Sequence, residues 1–211
     1  MLQQQALIAA LIEARIDKAR RGVLFTLSQP GGHPYNWNCV VEKCTGLIKK
    51  FSDDLSTACI KPQEPKLPLG VPSSTMTDVS AFQKQYIYQG GKVCHILFNG
   101  QTIIWAADAI SSLAVLSLNE DSYGIAQKDL PLIINTLLAL KQALDKLQKS
   151  NIMTKKQHGD DKFIKQIFHS LRAAAKRSLY RIVTCFEIYI GDLGLETTTV
   201  EQLHSFLAYR E

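Results

Sequence analysis

Apolar residues return every three or four positions through most of this chain, the repeat of a helix with one face turned toward a core. From Leu2 to Leu24 the repeat runs through Leu2, Ala6, Ala9, Ile12, Ile16, Ala19 and Val23, and it predicts a first helix ending near Pro30-Gly31. Trp37, Val40, Val41, Cys44, Leu47, Ile48, Phe51 and Leu55 carry the same repeat in a second helix, opened around Asn36 with Asn36 or Asn38 as its cap. These two are expected to pack as an antiparallel hairpin. Patterning resumes at Asp78 with Val79, Phe82, Tyr86 and Ile87 and stops at Gly90-Gly91. Val93, Ile96, Leu97 and Phe98 are β-formers, so a strand fits over 92–98, although helical neighbours favour a helix. After Asn99-Gly100, residues 101–118 are apolar on nearly every side, which places that helix at the centre of the fold.

Asp129-Leu130-Pro131 is the clearest start signal: a capping carboxylate, then a proline where a missing amide costs nothing. The helix it opens is expected over 132–148. A polar loop over 149–159, a long helix over 160–190 and a break at 191–194 follow, and a last helix over 199–209 takes Thr197, Thr198 or Thr199 as its cap. The fold class is therefore all-α, an irregular helical bundle or a short α-solenoid of packed helix hairpins. Residues 1–59 form an N-terminal helical hairpin and 78–211 the main helical domain, the two packing as one unit. Between them, 60–77 contains Pro62, Pro65, Pro68 and Pro72 and reads as a Pro-rich linker.

The 211 residues, 46% of them hydrophobic, suffice for one sizeable core. No uninterrupted apolar run approaches the roughly 20 residues that span a bilayer, and Met1-Leu2-Gln3-Gln4-Gln5 does not open a secretory signal. Cys39, Cys44, Cys59, Cys94 and Cys185 are an odd set without a CxxC pair, which predicts reduced, mostly buried thiols. None of the five histidines has the spacing of a metal ligand, so no metal site is expected. A hydrolase would need a Cys or Ser, Cys94 for example, beside His33, His95 or His169, and no nucleophile signature accompanies them. Gly90-Gly91-Lys92 and Asn99-Gly100 read as turns rather than phosphate cradles, and Glu120-Asp121 as capping anions.

The net charge of +5 is unevenly placed, with eight cations against two anions between Lys155 and Arg181. On a helix, Lys162, Lys165, Arg172, Lys176 and Arg177 share one side, opposite Ile164, Ile167, Phe168, Leu171, Ser178 and Ile182. That side suits an anionic membrane surface or an acidic protein patch. Specific nucleic-acid binding is not expected, because no aromatic platform or reading helix accompanies the charge.

Residues 27–37, Leu-Ser-Gln-Pro-Gly-Gly-His-Pro-Tyr-Asn-Trp, form a sharply shaped loop between helices. As a literal string this loop resembles one in the soluble C-terminal half of the nuclear-division-cycle transmembrane nucleoporin family. Similar stretches recur in the same order at Ile104–Leu113, at Glu120–Gln127 continuing through Leu130–Leu140, at Leu171–Phe186 and at Leu203–Leu207. The resemblance implies a non-catalytic scaffold of the nuclear pore complex that anchors its inner ring at the nuclear envelope, the soluble domain facing the cytoplasm and pore rather than the lumen. The implied partners are the WD-repeat nucleoporin ALADIN and the RRM-containing, membrane-associated nucleoporin, with no cofactor and no small-molecule substrate. It also implies that the membrane-spanning half lies outside this chain and that 60–77 is a shortened family insertion. Within the chain, the shaped loop with Pro30, His33, Tyr35 and Trp37 is a candidate partner-binding site. The short last helix with Leu203, Phe206, Leu207 and Tyr209 is the other.

Overall fold

Every described element is helical, in a computed structural model that describes residues 17–28, 32–59, 90–150 and 161–208. Helix α1 (Lys18–Leu24) is opened by Asp17, whose carboxylate accepts the amide of Ala19 at 2.9 Å. It stops well before Pro30, with Phe25 turned into the core. Helix α2 (Tyr35–Ala58) starts behind Pro34, and neither predicted asparagine caps it. Asn36 instead donates its side-chain amide to the carbonyl of Val23 at 3.1 Å, which ties α2 to the end of α1. The start of the predicted first helix, the Pro-rich linker, the patterned stretch 78–89 and the loop 151–160 lie outside the described residues.

Residues 90–98 form helix α3, so the strand alternative is set aside and Gly90-Gly91 is helical rather than a turn. Asn99 separates α3 from α4 (Gly100–Glu120), the longest apolar element of the described chain. By length and mean hydropathy α4 could cross a membrane, although Asp108, Ser111 and Ser112 interrupt its apolar run, and it is mostly buried inside this bundle. A turn follows, in which the Asp121 carboxylate accepts the amides of Tyr123 (3.1 Å) and Ala126 (2.8 Å). Gly124 supplies the positive φ of 65° that this turn requires. Glu120 and Asp121 sit at the end of α4, and Asp121 bonds the first amide of the 3-10 turn Ala126–Asp129, as a capping anion does.

Helix α5 (Leu130–Lys149) carries its proline in the first turn, as the start signal requires. Helix α6 (Asp161–Cys185) passes into a short 3-10 segment (Glu187–Asp192), and α7 (Thr197–Leu207) follows. No side chain caps α7, so the predicted threonine cap is not made.

Helix α2 packs on α4 and α5, and α6 packs on the same two from the other side. The order around the bundle is α2, α4, α6, α5, with α4 and α5 on the diagonal. Side-chain contacts fix the directions. Trp37 and Asp129 meet where α2 and α5 begin, and Cys59 and Ser150 meet where they end, so these helices are parallel. Gly100 faces Ile167 and Leu171 while Asp108 faces Arg177, so α4 and α6 are parallel as well. Arg21, on the helix leading into α2, reaches Glu120 at the end of α4, which sets the two pairs antiparallel. One continuous apolar core runs from Phe25 to Leu203.

Two contacts set the limits of this packing. A Cβ built on Gly100 would stand 2.6 Å from Leu171 Cδ1 and 2.7 Å from Ile167 Cγ2, so only a residue without a side chain lets α4 meet α6 there. Arg21 donates to both oxygens of Glu120, at 2.7 and 2.8 Å, in a largely buried fork. Those hydrogen bonds hold the Glu120 carboxyl below the usual carboxylate range against the opposing effect of burial, and the charges of Arg21 and Lys18 add to the shift.

Gly100→Ala is expected to lower stability by about 1–3 kcal/mol through overpacking, measured by urea unfolding, with the helical circular dichroism spectrum retained. A depressed carboxylate contributes stability that is whole above its unfolded value of about 4.3 and is lost as pH falls through the lower folded value. Glu120→Gln should therefore flatten the acid limb of the stability profile below about pH 4.3, as read by thermal melts across pH.

Candidate docking surfaces

The loop ahead of α2 is closed by one carbonyl. His33 O accepts the amide of Ser28 (3.3 Å), the hydroxyl of Ser28 (3.1 Å) and the amide of Tyr35 (2.9 Å). This leaves the His33 side chain in solvent and Tyr35 72% exposed. Trp37 is the opposite case. It is fully buried, its ring lies 5.5 Å from that of Phe25, and its indole donates to Asp129 Oδ2 at 2.8 Å. It is thus a structural tie between α2 and α5 and has no surface for a partner. Asp129 accepts this bond instead of capping α5. Pro30 lies outside the described residues.

The last helix also faces inward. Leu203 is fully buried, which removes it as a contact residue. Phe206 is half-buried between the Tyr180 ring, 6.4 Å away, and the Lys141 ammonium, 5.6 Å from its centroid. Leu207 is half-buried, Gln202 bonds Gln142 at 2.8 Å, and Tyr209 lies outside the described residues. The apolar side of α7 closes the α5–α6 seam.

The cationic side of α6 is divided by its neighbours. Arg172 donates to Asp145 on α5 at 2.9 Å, an acceptor shared with Lys141 at 3.4 Å. Arg177 forks onto Asp108 of α4 at 2.8 and 3.1 Å. Arg181 beside it donates to Ser112 (2.6 Å) and Ser111 (3.0 Å). Lys162 and Lys165 remain exposed, and Lys176 is half-buried. Two of the five predicted cations therefore serve as helix-to-helix clamps.

Between the parallel helices α2 and α5 runs an open groove of about 510 Å³, which sequence reasoning did not find. Gly46 forms part of its wall, where an added Cβ would meet nothing within 4 Å, and Leu132 stands at its edge, 49% exposed. Thr45 and Thr136 also line it, and both turn their hydroxyls back to their own helices, bonding the carbonyls of Val41 (2.6 Å) and Leu132 (2.7 Å). The groove thus presents small and apolar surface with Glu42, Lys49 and Asp129 at its margins. Tyr35 opens α2 at the same end. The pairing of α2, which ends at Ala58, with α5, which begins at Leu130, is what hides the groove from a reading along the chain.

Burial acts on two of the five thiols. Only Cys44 is fully buried, fewer than the sequence suggests, and burial pushes it up to about 12. Burial also raises Cys59, while Cys185 is exposed and Cys39 and Cys94 are intermediate.

A family model described as Nucleoporin protein Ndc1-Nup matches residues 79–204, more than half of the chain. Nucleoporin Ndc1 of Drosophila pseudoobscura pseudoobscura is 25% identical over 260 aligned positions, covering 90% of this chain and 43% of that protein. Nucleoporin NDC1 of Homo sapiens is 32% identical over 121 positions, covering 55% of this chain and 18% of its own length. Nucleoporin ndc-1 of Caenorhabditis elegans is 24% identical over 220 positions, covering 85% and 37%. The chain spans less than half the length of these curated relatives.

Substitution separates the tie from the exposed ring beside it. Trp37→Phe is expected to lose about 1.5–3 kcal/mol in urea unfolding, because a hydrogen bond to a charged, partly buried carboxylate disappears. Tyr35→Ala should stay within about 0.5 kcal/mol of the parent in the same measurement.

Proposed function

The chain belongs to the Ndc1-Nup family of nucleoporins, and from that premise we propose that it is a non-catalytic docking body that brings other nucleoporins to the pore membrane. The observation that carries this reading is the open α2–α5 groove, with exposed Leu132 in its wall and exposed Tyr35 one helical turn ahead of Asn38, the first residue of α2 that lines it. Along this parallel seam small side chains and Leu132 face an open groove, a surface suited to receiving side chains from outside. His33 and Tyr35 are the members of the predicted partner site that stand in solvent here.

The proposed occupant is ALADIN, with the RRM-containing, membrane-associated nucleoporin and inner-ring components as further partners in the same assembly. The soluble domain would face the cytoplasm and pore. Purified ALADIN should bind this chain, and Tyr35→Ala and Leu132→Asp should each weaken the complex about tenfold or more in a titration, as expected for anchor side chains of an interface. Full-strength binding by both variants overturns the groove as the site, and no binding by the parent chain overturns ALADIN as its occupant.

A further inference from the structure

Three aromatic rings stand in solvent along the seam between α4 and α6. Phe98, at the end of α3, is 67% exposed and Phe163, in the first turn of α6, is 52% exposed, and their rings touch with centroids 5.9 Å apart. Trp105 is 37% exposed on α4. At about 100° per residue, Gln101, Trp105, Asp108 and Ser112 form one strip of that helix. Asp108 and Ser112 receive Arg177 and Arg181 of α6, which identifies the strip as the border of the exposed side of α6. Trp105 therefore lies between the Phe98–Phe163 pair and the Asp108–Arg177 fork.

The charge around these rings is positive. Lys162 and Lys165 bracket Phe163 in the chain and are exposed. Asp108, the carboxylate on the strip, is held by Arg177. Asp160 and Asp161 precede Lys162 in sequence, so the excess is modest and the rings must supply much of any affinity. Exposed aromatics among lysines, whose long stems let the ammonium reach outward, match the chemistry of a lipid headgroup layer.

We propose that this seam is a membrane-apposed surface: Phe98, Phe163 and Trp105 enter the headgroup layer of a bilayer containing anionic lipid while Lys162 and Lys165 meet its phosphates and carboxylates. The inference goes beyond the docking reading and is independent of it, because the α4–α6 seam lies across the bundle from the α2–α5 groove. A domain so placed would rest on the bilayer by one face and keep the other open.

The full chain is tested by co-sedimentation with vesicles of phosphatidylcholine alone and of phosphatidylcholine with phosphatidylserine at about 7:3. Binding to the mixed vesicles is expected, weaker by about fivefold or more in the double variants Phe98→Ser/Phe163→Ser and Lys162→Glu/Lys165→Glu. Brominated lipid should quench Trp105 while the buried Trp37 stays silent, and Trp105→Phe should remove the quenching. Ile188→Ser, which changes an exposed apolar residue beyond the far end of α6, should bind like the parent, as should the parent with inorganic phosphate added at constant ionic strength. Equal binding to both vesicle types, unchanged binding by the double variants with native thermal melts, or displacement by phosphate overturns the proposal. So does binding of a protein through these rings by a chain that ignores vesicles.

Discussion

Helix α4 governs the architecture because it has almost no polar side of its own. Isoleucines, alanines and leucines point in most directions from its axis, and leaving that surface in water would be strongly unfavourable. The chain surrounds it with α2 and α6 along its sides and α5 across the diagonal. Three of its polar positions are provided for by α6, where Arg181 bonds Ser111 and Ser112 and Arg177 holds Asp108, and a fourth, Glu120, by Arg21 of α1. The length that would suit a bilayer serves here as the axis of a protein core.

Helix positions were largely legible in the sequence because amphipathic periodicity is a local property. The repeat through Trp37, Val41, Cys44, Ile48, Phe51 and Leu55 marks a face that is indeed buried. The ends were less legible. Asn36, Asp129 and the threonines at 197–199 all have the chemistry of caps, yet Asn36 bonds Val23 and Asp129 bonds Trp37. A side chain that caps in isolation takes a stronger tertiary partner when folding brings one near. Trp37 shows the same limit: an aromatic in a shaped loop reads as exposed until the helix 92 residues onward supplies its acceptor. The groove beside Gly46 depends on a pairing between helices far apart in sequence, and no local pattern announces it.

Charge in this domain serves two purposes that composition cannot separate. Arg21, Arg172 and Arg177 look outward on a helical wheel, but each is drawn sideways onto a carboxylate of another helix. Guanidinium groups suit this task because their fork matches two oxygens and their stems pack along apolar surface. The lysines at the start of α6 stay in solvent. Part of the positive charge is therefore used between helices rather than presented outward.

The parallel pairing of α2 with α5 and of α4 with α6 also sorts the connections. At one pole Asp121, Gly124 and His33 O hold turns of a few residues in fixed hydrogen-bonded shapes. At the other pole the ends of α2 and α5 face the starts of α4 and α6, so both longer connections, 60–89 and 151–160, attach there. Because the two pairs run in opposite senses, their helix dipoles cancel across the bundle, and neither pole gathers net charge from the backbone.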